Sequence, residues 1–442
     1  MNLKALLFVI IFLVSSWSFA TQELAGFLSQ QKLVRVYVDS APGFGHQSAG
    51  ISVMRRLREL GFDGEFQVVY QQSVAEKIKK IYPSFPEGIE GQLKYLSVES
   101  YEKALQENKI SKVNLAISGA DDGFGSKFRE ISMAETYLRL QPLGWGQSAV
   151  YGAESRLLES LASLPLANVK SPDLAAFKDF VHNDATMSPA KKEFVLKFAE
   201  ASGQHFTFPI YGVGTQTFAP QRMYFYGKAV KSAAAKIQSD KAVIAPVISP
   251  FNVQEVDTLM KVFGKAAGFE SSIASELKHQ KQMHILTPEQ FNELKTLKPG
   301  HVYFVLVGTT PQTVFNFFYE RATLPVWVAG KNAMSFAVSK GKPYFNTVDD
   351  YFLPEKQNLS AASVKTLEKA QMGFSKGYNE FSNQSSITAV SRFIQESASP
   401  GTELEAFFKE LGEKMSANDK VSQGLREAMT RGPAPLCSQI FN

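Results

Sequence analysis

The chain has one cysteine in 442 residues, Cys437, close to its end. One thiol forms no intramolecular disulfide and builds no cysteine metal site, so the fold is held by its core. Charge of one sign is scarce. A formal net charge of +5 is spread over the whole length, and no run interleaves Lys or Arg with aromatics. That excludes the concentrated basic stripe that nucleic-acid binding needs. Among the six histidines no H-E-x-x-H pattern occurs, which removes the usual helical zinc signature. A serine nucleophile elbow, G-x-S-x-G, is also missing, because "AISGAD" lacks the first glycine. Beyond the first twenty or so residues no segment approaches the roughly 20 apolar residues of a membrane span.

What is present is a large apolar fraction, 44%, with 35 phenylalanines, enough for sizeable cores. The length makes two domains the expectation. The opening "MNLKALLFVIIFLVSSWSFAT" has a positive start at Lys4, an apolar core from Ala5 to Val14 and a small-x-small site at Ser18-Phe19-Ala20. It reads as a cleaved export signal, residues 1–20, with an uncleaved anchor as the alternative. The expected location is therefore secreted or periplasmic.

After the signal, short apolar runs alternate with helical patterns. "LVRVYVDS" is followed by "HQSAGISVMRRLRELG", with Ile51, Met54, Leu57 and Leu60 at helical spacing and Gly61 as the stop. "EFQVVY", "KVNLAISGA" and "ETYLRLQP" read as further strands. This rhythm predicts βαβ units and parallel sheets, an α/β class. A polar helical stretch at 151–206 carries two Ser-Pro helix starts. The rhythm returns in "HFTFPIYGVG", "KAVIAPVISP", "QMHIL", "HVYFVLVG", "LPVWVAG" and "KPYFN". From Leu359 the chain is largely helical. The expected division is 21–205, an α/β domain with a helical linker; 206–358, a second α/β domain; and 359–442, a helical C-terminal cap.

Four loops carry residues suited to chemistry. In "APGFGHQSAG", Gly43 and Gly45 allow a sharp turn after a strand. His46, Gln47 and Ser48 then fall in the first helical turn, where unpaired N–H groups favour anions. The spacing is not the dinucleotide fingerprint, because no third glycine follows in register. "ISGADDGFG" places Asp121 and Asp122 together in a turn, either as a catalytic pair or as solvated capping residues. "PLGWGQS" holds Trp145, a packing residue or a platform for a sugar ring. "LVGTTPQTVFNFFY" sets Gly308, Thr309 and Thr310 before a helix opened by Pro311. Those hydroxyls suit phosphate or sugar, or else Thr310 is simply the N-cap. His205, His284 and His301 stand at strand starts as edge residues, and His182 and His279 on polar helical stretches.

"PVWVAGKNAMSFAVSKGKPYF" resembles the donor-site segment of two-Rossmann-domain (GT-B) glycosyltransferases, with Gly330, Asn332, Ala337, Gly341 and Pro343 at the family's spacing. "GFGHQSAG" is similar to the glycine-histidine loop of the acceptor-side domain in lipid-sugar transferases of that architecture. The matching motifs occupy only about thirty residues. The resemblance implies two Rossmann-like domains facing across a cleft and transfer of a sugar from an activated donor, such as a nucleotide sugar, to a hydroxyl on a small-molecule, glycan or lipid acceptor. It implies His46 as the acceptor-side base, with Gly308, Thr309, Gly330, Lys331 and Asn332 lining the donor side and Lys331 offsetting diphosphate charge. No metal and no other cofactor is required. At Phe336 the family usually carries a ribose-binding Glu, whose absence removes about 1.5–3 kcal/mol. The rival expectation is therefore a non-catalytic binding protein of the same fold, taking a sugar, glycolipid or nucleotide. A hinge-closing solute receptor would need two or three crossings between lobes, whereas this chain is expected to cross once before its final helices.

Overall fold

The computed structural model describes residues 22–39, 45–71, 93–120, 125–143, 148–151, 156–158, 173–201, 203–212, 220–238, 240–249, 269–270, 282–346, 352–376, 384–417 and 419–430. The expected signal, Gly43, the Asp121–Asp122 pair and Trp145 lie outside them. The chain divides into two compact units, one of residues 1–168 with 417–442 and one of residues 169–416.

The first unit holds seven strands: β1 (Leu33–Val38), β2 (Glu65–Tyr70), β3 (Leu93–Ser97), β4 (Val113–Gly119), β5 (Ala134–Leu140), β6 (Ser148–Tyr151) and β7 (Arg156–Leu158). Their order is β3-β2-β1-β4-β5-β6-β7. The first five are parallel and the last two run antiparallel at the edge. This is a Rossmann-like half, as the strand-helix rhythm requires. After a first helix α1 at 22–29, α2 (Gly45–Glu59) buries Ile51, Met54 and Leu57. It ends where expected: Gly61 takes φ +98° and the Phe62 amide reaches back to the Leu57 carbonyl, a glycine-dependent C-terminal turn. A Cβ on Gly50 would stand 2.7 Å from Val38 Cγ2. A close-packing glycine does follow the G-x-G turn, then, five residues past Gly45 rather than three. The helices α3 (Val98–Gln106) and α4 (Gly125–Ile131) follow between its strands.

In the second unit, α5 (Leu174–Asn183) and α6 (Pro189–Ala201) precede the strands β8 (Phe206–Thr207), β9 (Ile210–Tyr211), β10 (Val243–Ile248), β11 (Phe269–Glu270), β12 (Met283–Leu286), β13 (Val302–Leu306), β14 (Val326–Val328) and β15 (Tyr344–Asn346). The sheet is entirely parallel, ordered β11-β12-β13-β10-β9-β14-β15, with β8 also on β10. "HFTFPIYGVG" is thus two short strands. Pro209 has no N–H to donate, and across from it Pro246 has none either. The β10 ladder pairs Val243–Ile244 with β8 and Val247–Ile248 with β9, so the two prolines share the gap.

The remaining helices are α7 (Pro220–Ile237), α8 (Pro288–Asn292), α9 (Gln312–Glu320), α10 (Lys331–Ser339), α11 (Ala361–Lys376), α12 (Gln384–Ala398), α13 (Glu403–Ser416) and α14 (Lys420–Met429). Two expected boundaries are corrected. The segment 174–201, expected as a linker within the first domain, belongs to the second unit. Phe177 stacks on Phe317 with ring centroids 3.7 Å apart, and Phe198 meets Phe318 edge-on at 4.8 Å. Nor is 359–442 a separate cap. The helices α11 to α13 join the second unit, where Gly412 lies so close to the Gly341 turn that a Cβ would be 2.4 Å from the Gly341 nitrogen. The last helix, α14, joins the first unit, packing Gly424 on Leu138 and Leu140. The chain crosses at 168/169 and again, inside the C-terminal helices, at 416/417.

Candidate binding rim of the second unit

In the second sheet the chain leaves β9 toward β10 on one side, then returns from β13 across to β14 on the other. In open α/β sheets a reversal of this kind marks the carboxyl-end position where ligands bind. The loops there are built around left-handed glycines that only glycine adopts cheaply. Gly212 after β9, Gly308 after β13 and Gly330 after β14 have φ of +81°, +74° and +92°. Adjacent loops touch: a Cβ on Gly212 would lie 2.1 Å from Ala329 Cβ, and one on Gly308 would lie 3.8 Å from both the Ser249 carbonyl oxygen and Lys191 Nζ. Four neighbouring strand ends thereby form one rim.

Two helices start on this rim, and neither has a side-chain cap. The N-cap of α9 is Pro311 and that of α10 is Gly330, with no capping hydrogen bond at either. Thr310 is therefore not the N-cap. The helix begins one residue later than that alternative requires, and the Thr310 hydroxyl oxygen is buried with no hydrogen-bond partner while the residue is 7% exposed. Seven other described helices start on a side-chain cap. Ser97, Asp173, Thr287 and Asp419 cap α3, α5, α8 and α14. Ser188, Ser360 and Thr402 accept from the backbone N–H groups of Lys191, Ser363 and Glu405 at the starts of α6, α11 and α13. A side-chain cap contributes about 1 kcal/mol, so two bare starts on a single rim mark backbone donors kept for something other than the protein's own side chains.

The rim also holds a cation that sequence reading missed. Lys191, in the first turn of α6, donates from Nζ to the Thr309 carbonyl at 2.9 Å. Burial pushes its ammonium below the ordinary lysine value, against the favourable charges of Asp184 and Glu289. No local signal marks this residue, since its target lies 118 positions away. A signal did exist for Asn316, a lone amide in the aromatic run "VFNFFY". It is 1% exposed on α9, and neither amide atom has a hydrogen-bond partner. Lys331 and Asn332, expected on the donor side, occupy the first two positions of α10, with Lys331 buried rather than extended into solvent. The structure thus gathers Gly308, Thr309, Thr310, Gly330, Lys331 and Asn332 on one rim.

Phe336 does not stand on that rim. It is fully buried and packs against Phe315 and Tyr319, with centroids 6.1 and 6.0 Å apart.

In the first unit, Gly45 opens α2 and Ser48 is half-buried, whereas His46 and Gln47 are buried, His46 at 3% exposure. Gln47 donates to the Asp39 carbonyl at 3.5 Å, and the Gln71 amide donates to the Asp39 carboxylate at 3.0 Å. At the end of β5, Lys420 of α14 donates to the Gln141 carbonyl at 2.7 Å, and burial lowers its pKa to about 8. The expected edge histidines of the second unit are placed at strand starts, with His284 Nε2 and His301 Nδ1 hydrogen-bonded at 2.8 Å. Among the described residues no group of three or more His, Cys, Asp or Glu is arranged to hold a metal ion, and no helix is long and apolar enough to cross a membrane.

No protein-family model matches this chain, and no curated protein does. Solved structures that it resembles include the S. aureus MnaA-UDP co-structure, at 10% identity and TM-score 0.43, covering 91% of this chain and 99% of that one. Another is the spinosyn rhamnosyltransferase SpnG, at 11% identity and TM-score 0.41, covering 90% and 99%. A third is a glycosyl transferase family 9 protein from Veillonella parvula, at 12% identity and TM-score 0.37, covering 83% and 98%. With such low scores, the fold class of two Rossmann-like units rests on the strand orders themselves.

Proposed function

We propose that the second unit binds the phosphates of an activated sugar donor at its carboxyl rim, and that the chain is an exported glycosyltransferase-like protein. The observation that carries this reading is the uncapped start of α9 next to the buried, unpartnered Thr310 hydroxyl, with Lys191 on the Thr309 carbonyl and a second uncapped start, that of α10, on the same rim. A helix start favours an anion placed against its free N–H groups by about 0.3–1 kcal/mol, more where partly buried. A desolvated ammonium adds a charge-assisted bond. The donor-segment resemblance at Gly330, Asn332, Gly341 and Pro343 supports a sugar nucleotide as the ligand, and His46 is the proposed acceptor-side base.

A second reading is favoured by Phe336. With no carboxylate at that position, a protein that holds a nucleotide or sugar without transferring it fits the same rim. Calorimetric titration with uridine and other nucleoside diphosphates, and with their sugar derivatives, tests the shared part. Binding that Lys191→Met weakens about tenfold or more supports the rim, and no binding by any of them overturns it. Release of nucleoside diphosphate from a bound nucleotide sugar in the presence of glycan or lipid acceptors then separates transfer from binding alone.

A further inference from the structure

A cavity of about 570 Å³ opens in the second unit between the last turn of α6, the residue entering β8, the start of β10 and the segment joining α8 to β13. All three strands enter the sheet there, so the cavity lies at the amino end, the far side of the sheet from the glycine rim. Its size is that of a small-molecule site. Phe291, Leu294 and Leu297 give it an apolar wall, and Lys197, Lys295 and His205 give it a polar one.

The charge balance on that polar wall is positive. Glu200, the acid in the lining, is already held by Lys178 at 2.8 Å. Lys197 pairs with Glu193 at 3.0 Å and donates to the Asn292 carbonyl at 2.6 Å, whereas Lys295 stands exposed at the mouth. His205 Nδ1 is buried without a hydrogen-bond partner. Burial and the nearby Lys241 charge both hold this imidazole below the ordinary histidine pKa, so it is neutral at physiological pH and offers a polar contact rather than a charge. Lys241 is itself anchored on the Gly203 carbonyl at 3.0 Å.

We propose that this cavity is a second binding site, for a small organic carboxylate with an apolar body. The body lies on Phe291, Leu294 and Leu297, and the carboxylate meets Lys295 with His205 beside it. The site is separate from the rim and does not depend on the function proposed for it.

The test uses the full chain, with hexanoate, octanoate and phenylbutyrate as probes against their matching alcohols, followed by calorimetry and by saturation-transfer NMR. At least one acid binds about tenfold more tightly than its alcohol, as a charge-assisted contact requires. Lys295→Glu, on the exposed segment, removes that preference, and Ala201→Phe fills the cavity and abolishes binding of acid and alcohol alike. Should Ala201→Phe fail to fold, Lys295→Glu with an unchanged melting temperature decides alone. The proposal is overturned if no acid binds at millimolar concentration, if acid and alcohol bind equally, or if Lys295→Glu leaves the preference intact. Lys191→Met leaves carboxylate binding unchanged, and a loss there overturns the separateness of the site.

Discussion

Thr310→Val separates the two things a buried hydroxyl can do. In the structure the Thr310 oxygen is shielded from solvent and makes no hydrogen bond. Leaving such a group unpaired costs about 1–3 kcal/mol, and valine keeps the shape while removing it. The variant is therefore expected to be more stable by about 1 kcal/mol, which raises the melting temperature of a unit this long by roughly 2–4 °C. Binding moves the other way. A hydroxyl that donates to a phosphate oxygen contributes about 1.5–3 kcal/mol, so uridine diphosphate should bind about 10- to 100-fold more weakly. Scanning calorimetry of the ligand-free protein and titration calorimetry with the nucleotide measure the two quantities on one preparation. A fall in melting temperature means the hydroxyl already has a partner. Unchanged affinity means it faces no ligand. Either result refutes the assignment.

Other perturbations read different parts of the second unit. Gly212→Ala forces a side chain into φ +81° with its Cβ 2.1 Å from that of Ala329, so a loss of more than about 2 kcal/mol is expected in urea unfolding, and an unshifted midpoint would show that the loops do not touch. Lys191→Met removes a desolvated cation, so the melting temperature holds or rises while nucleotide affinity falls; a large destabilisation with affinity intact would make Lys191 a structural residue. Burial lowers the Lys342 pKa from 10.5 to about 8, so between about pH 8 and 10.5 the unfolded chain binds the extra proton and stability rises with pH. Lys342→Met should flatten that rise relative to the parent, as followed by urea midpoints across the range.

Much of the fold was legible because periodicity is local. Ile51, Met54 and Leu57 at helical spacing, Gly61 and Gly341 as helix stops, and the apolar runs at 33–38, 113–119 and 302–306 each announce an element from its own residues. The rim loops at 308–310 and 330–332 were legible for the same reason: they directly follow strands. What local pattern does not encode is docking. Whether the helices at 174–201 side with the strands before or after them depends on Phe177 finding Phe317 and Phe198 finding Phe318, contacts more than a hundred residues apart. Lys191 was missed with its helix. The Thr310 ambiguity was real as well, because Thr-Pro fits both a cap with proline in the first turn and a loop residue before a proline cap, and only the backbone at Pro311, φ −55° and ψ 151°, decides for the second.

Phe336 turns that distinction between pattern and placement into a test. On the family resemblance, it stands where a ribose-binding glutamate is expected, and restoring the carboxylate should restore nucleotide recognition. In the structure it is core, closed in by Phe315 and Tyr319 on the neighbouring helix α9 and fully shielded from solvent. The cation beside that ring, Lys340, has its Nζ 5.5 Å from the ring centroid and already pairs with Glu320 at 2.6 Å. Burying a carboxylate there costs several kcal/mol and opens the aromatic packing. Phe336→Glu is therefore expected to lower the melting temperature by well over 5 °C, or about 2 kcal/mol and more for a unit of this size, with no gain in affinity for uridine diphosphate. A stable Phe336→Glu variant that binds the nucleotide more tightly would mean that this face of α10 looks onto the ligand after all, and that the rim has been drawn around the wrong side of the helix.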